Sequence, residues 1–245
     1  MVSGEGGCAV ASVVLMVGPM LASIGRPRYT GRMPDTPADL LIILAAYLIG
    51  SISFAVIVSR GFGLPDPRTY GSKNPGATNV LRSGRKAAAI LTLGGDGLKG
   101  WLAVVLAQWL APAQGYTDTT IALVALAVFL GHLYPVFFRF IGGKGVATAA
   151  GVLFALNPWL GLGLLVIWLV LAVGLKLSSL AALAATAAAL PLAWWLAMPG
   201  AYLATIGAIG VLLVWRHRSN IRKLLSGTES GFGGKAVKED PTAQP

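Results

Sequence analysis

The stretch DLLIILAAYLIGSISFAVIVS, residues 39–59, decides the fold. Between Asp39 and Arg60 it carries no charge, and it is close to the length of about 20 apolar residues that takes a helix across a hydrocarbon core of roughly 30 Å. Pro65 and Pro67 then break any helix. The same arithmetic, carried outward, finds Ala87–Leu110, Thr119–Phe140, Trp159–Leu175, Ser178–Ala197 (bent at Pro191) and Ala201–Trp215 as further spans. Val146–Leu156 covers only about half a bilayer before Asn157-Pro158 ends it, as a tilted short span or a re-entrant segment buried in protein would. Trp109, Trp159, Trp194, Trp195, Tyr202 and Trp215 sit near span ends, where interfacial anchors belong. Composition agrees: 56% of residues are hydrophobic and 11% charged, and mean hydropathy is +0.74, against roughly 25% charged in a soluble domain. The expected fold is an all-α polytopic membrane protein with about seven transmembrane helices.

The basic residues set the orientation. Arg60, Arg68, Lys73, Arg82, Arg85 and Lys86 follow the first span, Arg139 and Lys144 the third, Lys176 the fifth. Arg216, Arg218, Arg222 and Lys223 follow the last. The intervening loops, at 112–118, 157–158 and 199–200, hold none. This alternation places the start of the first span outside and the C-terminus in the cytoplasm. Arg26, Arg28 and Arg32 run against it. Residues 1–36 are therefore expected to be an extension, disordered or not translated, with Met33 as the start. An intact mass of the native protein tests this. Residues 37–229 form the membrane domain, and the Gly- and charge-rich tail, 230–245, is expected to be disordered. The lone Cys8 allows no intramolecular disulfide and no cysteine-based metal site.

The chemistry gathers in basic segments that share the cytoplasmic side. GSKNPGATNVLR, residues 71–82, packs small residues, hydroxyls, amides and cations together. Backbone N–H groups, hydroxyls and a bidentate Arg are what a phosphate requires. A polar loop carrying positive-inside charge explains the composition about as well. GHLYP at 131–135 precedes FIGGKGVAT at 140–148, where Gly-Gly-Lys-Gly opens a helix; backbone donors at a helix N-terminus plus a lysine form an anion site. A tight turn with a snorkelling lysine is the plainer account, and His132 near a span end is more often an interhelical hydrogen bonder. In RHRSNIRKLLSGTE, residues 216–229, His217 and Asn220 share a helix face, although a basic amphipathic tail has the same pattern. Asp96 and Lys99 lie three apart within the second span and can pair. A lone charge near mid-bilayer costs at least roughly 2.5–3.5 kcal/mol.

With these residues set out, the chain resembles the bacterial acyl-phosphate:glycerol-3-phosphate acyltransferases, the PlsY family. Ser-x-Asn-Pro-Gly-Ala-Thr-Asn-x-x-Arg at 72–82, Gly-His-x-x-Pro with Gly-Gly-Lys-Gly-Val-Ala-Thr at 131–148, and Arg-His-x-x-Asn-Ile through Gly-x-Glu at 216–229 match in order. Gly50-Ser51-Ile52 and Asp96-x-x-Lys99-Gly100 match as well. The resemblance implies acyl transfer from an acyl phosphate, not acyl-CoA, to the 1-hydroxyl of sn-glycerol 3-phosphate. The products are lysophosphatidate and phosphate, and the step opens bacterial phospholipid synthesis at the inner membrane. It implies catalytic roles for Ser72, Arg82, Lys144, His217 and Asn220. Substrate-binding positions are implied at Asn74, Gly76, Thr78, Asn79, Asp96, Lys99, His132, Gly142, Gly143, Gly145, Thr148 and Glu229. It further implies a soluble enzyme that supplies acyl phosphate, and membrane lipid as the setting; no cofactor, metal or nucleic acid is expected.

An acyl phosphate is a mixed anhydride, already activated, so positioning and charge neutralisation are expected to dominate, with a substrate phosphate oxygen taking the hydroxyl proton. A secondary transporter would show paired broken spans in matching halves, and the sequence shows no such symmetry. A metal-dependent phosphotransferase needs several aspartates in one span; the spans after Asp39 hold only Asp96.

Overall fold

In a computed structural model, residues 33–231 are described. The expected extension over 1–36 and tail over 230–245 lie outside it except for a few residues at their inner edges. Among the described residues all regular structure is helical. The elements are α1 (Pro37–Gly50), α2 (Phe54–Gly61), α3 (Ala77–Leu81), α4 (Lys86–Gln114), α5 (Asp118–Leu133), a 3-10 turn (Val136–Phe138), α6 (Val146–Leu156), α7 (Pro158–Leu175), α8 (Ser178–Trp195), α9 (Gly200–Arg216) and α10 (Arg218–Leu225).

Helices α4, α7 and α8, and α5 together with its 3-10 turn, are long and apolar enough to cross a membrane. Two bent pairs qualify jointly: α1 with α2 at 42° and α9 with α10 at 59°. Leu41, Ile90, Val170, Val173 and Val211 stand well exposed. An apolar exterior on this scale fits lipid rather than water. Trp109, Trp194 and Trp195 are each 74% exposed near helix ends.

Helix α5 forms the core. Ile121, Val124, Val128, Phe129 and Leu133 are fully buried. Glycines let its neighbours approach. A Cβ on Gly131 would collide with the Tyr47 carbonyl of α1, and one on Gly151 of α6 with the Gly97 carbonyl of α4. Small residues at such crossings are how membrane helices gain packing without a hydrophobic driving force between them.

Two spans differ from the sequence expectation. The continuous helix over 39–59 breaks at Ser51–Ser53. Ser51 Oγ donates to the Tyr47 carbonyl at 2.9 Å and accepts from Val136 N at 3.3 Å. The freed Ile52 carbonyl accepts from Lys99 Nζ at 2.7 Å. A break inside the bilayer is tolerated when protein groups re-satisfy the backbone. The third span ends its helix at Leu133 instead of continuing to Phe140, because Pro135 forces Tyr134 out of helical geometry (φ −131°, ψ 66°). The last span runs as expected, ending at Arg216, and turns at His217 into α10. The short segment at Val146–Leu156 is a helix of 11 residues packed along α4 and followed directly by α7. Asn157 caps α7, its Oδ1 accepting from Trp159 N at 2.9 Å and Leu160 N at 3.1 Å.

Candidate active site

The basic loops meet at one end of the bundle, over a cavity of about 590 Å³. Ser72, Asn74, Arg82, Lys144, His217 and Asn220 line its polar end. Trp101, Phe154, Leu164, Trp168, Ile206 and Ile209 line its apolar part, between α4, α6, α7 and α9. Gly76, Thr78, Asn79, Gly145 and Glu229 also reach the polar end.

The 71–82 loop is built around Asn79, which is 1% exposed. Its Oδ1 accepts from Ser72 N at 3.0 Å; its Nδ2 donates to the Pro67 carbonyl at 2.7 Å and the Tyr70 carbonyl at 3.1 Å. A Cβ at Gly71 (φ 58°) would strike Asn79 Oδ1, so glycine is required there. The Asn79 amide therefore shapes the loop that presents Ser72. Asn79→Ala is expected to cost about 1–3 kcal/mol for each backbone group left unsatisfied, seen as a lower melting temperature in detergent together with reduced turnover.

Gly145 (φ 87°) caps α6, and Lys144 stands just before it. Arg216 clamps the turn from above: Nε donates to the Gly143 carbonyl at 3.1 Å, and Nη2 to the Gly142 and Gly143 carbonyls at 2.7 and 2.9 Å. Lys144 Nζ donates to Asn220 Oδ1 at 2.5 Å. Asn220 Nδ2 donates to Glu229 Oε1 at 2.7 Å, and Ser179 Oγ to the same oxygen at 2.6 Å. Glu229 thus braces Asn220, which orients Lys144. Arg82 Nη2 donates to Ser230 Oγ at 3.0 Å.

Burial lowers the Lys144 pKa to about 8; Glu229 opposes the shift, while Arg216, Lys223 and Arg82 add to it. The ammonium form predominates below that value and is lost above it. A dianionic ligand favours the ammonium, so its binding near pH 8 takes up a proton. The KM for a phosphate-bearing substrate is expected to be flat near neutrality and to rise above pH 8. Lys144→Arg, which stays charged, removes that inflection; initial-rate series across pH check this.

His217 is 3% exposed, and its Nδ1 lies 2.8 Å from the Leu213 carbonyl. A carbonyl only accepts, so Nδ1 carries the proton and Nε2 offers a lone pair.

Several expected substrate contacts lie elsewhere. Lys99, Thr148, Gly142 and Gly143 do not line the cavity. Lys99 is 4% exposed, pairs with Asp96 Oδ1 at 2.9 Å and serves the α1–α2 break. Thr148 is fully buried, and its hydroxyl donates to the Asp96 carbonyl at 2.9 Å. The Gly142 and Gly143 carbonyls are held by Arg216. Asp96 and His132 edge the cavity, but Asp96 Oδ1 faces Lys99 and His132 Nδ1. Sequence reasoning did not single out Arg216, Ser179 or Ser230. Arg216 was legible as the residue beside His217; the partners of Ser179 and Ser230 are 50 and 148 residues away.

Comparison with known proteins assigns this geometry. A family model described as glycerol-3-phosphate acyltransferase matches residues 40–227. The chain belongs to that family. The glycerol-3-phosphate acyltransferase of Ralstonia pickettii is 62% identical over 204 residues, covering 83% of this chain and 98% of the relative. That of Cupriavidus pinatubonensis is 62% identical over 203 residues, covering 81% and 98%. Among solved structures, PlsY, an integral membrane glycerol 3-phosphate acyltransferase, matches in its glycerol 3-phosphate form with a TM-score of 0.75 and 39% identity, covering 80% of this chain and 96% of PlsY. Its lysophosphatidic acid form matches with a TM-score of 0.73 and 38% identity. For a glycerol-3-phosphate acyltransferase, a polar cradle opening into an apolar trough is the shape the chemistry needs.

Proposed function

We propose that this acyltransferase moves a fatty acyl group from acyl phosphate to the 1-hydroxyl of sn-glycerol 3-phosphate, giving lysophosphatidate and inorganic phosphate. The observation that carries the reading is a cavity that joins Arg82 and Lys144 to an apolar trough. Both substrates bear phosphate and one bears a long chain. The PlsY forms with glycerol 3-phosphate and with lysophosphatidic acid support the acceptor and the product.

Ser72, Arg82 and Lys144 clamp phosphate, and His217 and Asn220 complete the clamp from the α9–α10 turn. The 1-hydroxyl oxygen attacks the acyl carbonyl carbon, and the new ester C–O bond forms. The bond from that carbon to the bridging phosphate oxygen breaks, and the electron pair leaves with phosphate. The hydroxyl proton passes to a substrate phosphate oxygen. Arg82 and Lys144 stabilise the charge that develops on the carbonyl and on the leaving group. Asn74, Gly76 and Thr78 shape the glycerol pocket.

The alternation of basic loops supports a C-terminus and active site in the cytoplasm and a place in the bacterial inner membrane. Acyl phosphate is too reactive to accumulate, so a soluble enzyme that makes it is the expected supplier. No metal is required in this scheme, and turnover is expected to be unchanged by a chelator. Purified protein given glycerol 3-phosphate with either palmitoyl phosphate or palmitoyl-CoA tests the donor. Lysophosphatidate from the first alone supports the reading; lysophosphatidate from the CoA ester refutes it.

A further inference from the structure

The scheme above gives no task to a cluster of buried ionisable side chains inside the bundle. Asp96, Lys99 and His132 are 3%, 4% and 7% exposed. They join four parts of the fold. Lys99 Nζ donates to the Ile52 carbonyl at the α1–α2 break and pairs with Asp96 Oδ1 on α4. Asp96 Oδ1 stands 3.5 Å from His132 Nδ1, at the end of α5. Thr148, on α6, closes the set. Its hydroxyl has one proton and donates it to the Asp96 carbonyl, which can only accept. The Thr148 oxygen must then accept from His132 Nδ1 at 3.1 Å. Both the tautomer and the plane of the His132 ring are thereby fixed, with Nε2 directed away from Thr148.

His132 lies directly beneath the Gly-Gly-Lys-Gly turn. Gly143 N donates to the His132 carbonyl at 3.2 Å. A Cβ on Gly143 would collide with His132 Nε2, and one on Gly142 with the His132 carbonyl. Arg216 grips the carbonyls of the same two glycines. The turn is held between His132 and Arg216, and the next residue is Lys144. We propose that Asp96, Lys99, His132 and Thr148 are positioning residues that set the height and register of the Gly142–Gly145 turn, and through it Lys144, without touching substrate. The inference rests on the phosphate-binding role given to Lys144 above.

A buried pair replaced as a unit by apolar residues leaves no unpaired charge and is often neutral for stability. The test is therefore the double variant Asp96→Leu/Lys99→Met beside Thr148→Val and Thr148→Ser. Each is measured for melting temperature, for kcat and KM with palmitoyl phosphate and glycerol 3-phosphate, and for the pH midpoint of Lys144 labelling by an amine reagent, read peptide by peptide in mass spectra. A displacement of about 1 Å can cost roughly 10²-fold. The double variant leaves the Ile52 carbonyl without its Lys99 partner and is expected to fold with a somewhat lower melting temperature, lose ten- to a hundredfold in kcat/KM, and move the Lys144 midpoint from about 8 toward that of an ordinary lysine. Thr148→Val is expected to do the same more weakly, and Thr148→Ser to recover most of the loss. Wild-type kinetics and an unmoved midpoint in the double variant would overturn the proposal. If the double variant does not fold, equal behaviour of Thr148→Val and Thr148→Ser overturns it. A wild-type enzyme without turnover dependent on glycerol 3-phosphate would instead sink the functional reading, so the two failures are told apart.

Discussion

Arg82→Ala is expected to lower kcat/KM by roughly 10²–10³ or more, the loss seen when a preorganised donor to developing charge is removed, while the melting temperature stays close to wild type. The guanidinium lines the polar end of the cavity. Among the described residues its hydrogen bond to protein is the exposed one to Ser230 Oγ, so the fold depends on it little. Its planar fork can hold two phosphate oxygens at once. Lysine is a point charge on a flexible stem, so Arg82→Lys is expected to recover only a small part of the loss. Initial rates and a thermal melt on the same sample check both halves. A large fall in melting temperature would make Arg82 a structural residue.

The second large effect is on the fold. Gly151→Val is expected to abolish folded, monodisperse protein in detergent. A Cβ at Gly151 would overlap the Gly97 carbonyl and crowd the Trp101 amide, both of them backbone of α4 that cannot rotate aside. Gly100 is similarly pressed against the Thr148 carbonyl, so the α4–α6 crossing has no slack on either side. Overpacking commonly costs about 1–3 kcal/mol where side chains can yield, and more is expected where only backbone can move. Gly94, on the same helix, has open space around its Cβ position. Gly94→Ala is therefore the control and is expected to fold. Size-exclusion profiles and thermal melts of the two variants decide it.

Much of this molecule was legible from local pattern. Hydropathy located every long helix, and most of their ends to within a few residues, because a lipid-facing helix must be apolar over its whole length. The breaks were not. Nothing local in residues 39–59 shows that the helix stops at Ser51, since the group that makes the stop tolerable, Lys99, lies 47 residues on. The 71–82, 140–148 and 216–229 segments stood out by composition, and the structure brings them to one cavity. What composition did not show is which way each side chain is committed. Asn79 read as either a loop former or a ligand of the glycerol hydroxyls, and its amide bonds three backbone groups of its own loop. Thr148 and Lys99 belong to the buried network. His132 follows the plainer reading, an interhelical hydrogen bonder. Hydrogen bonds over long sequence separation are invisible to a one-dimensional pattern, and they separate a ligand from a brace.

The most direct test of the central claim is steady-state phosphate release from palmitoyl phosphate by purified enzyme, with and without glycerol 3-phosphate, in wild type and Arg82→Ala. The account predicts release that depends on glycerol 3-phosphate, matches lysophosphatidate mole for mole, and falls to near background in the variant. Release that ignores glycerol 3-phosphate, or that persists in Arg82→Ala, would contradict it.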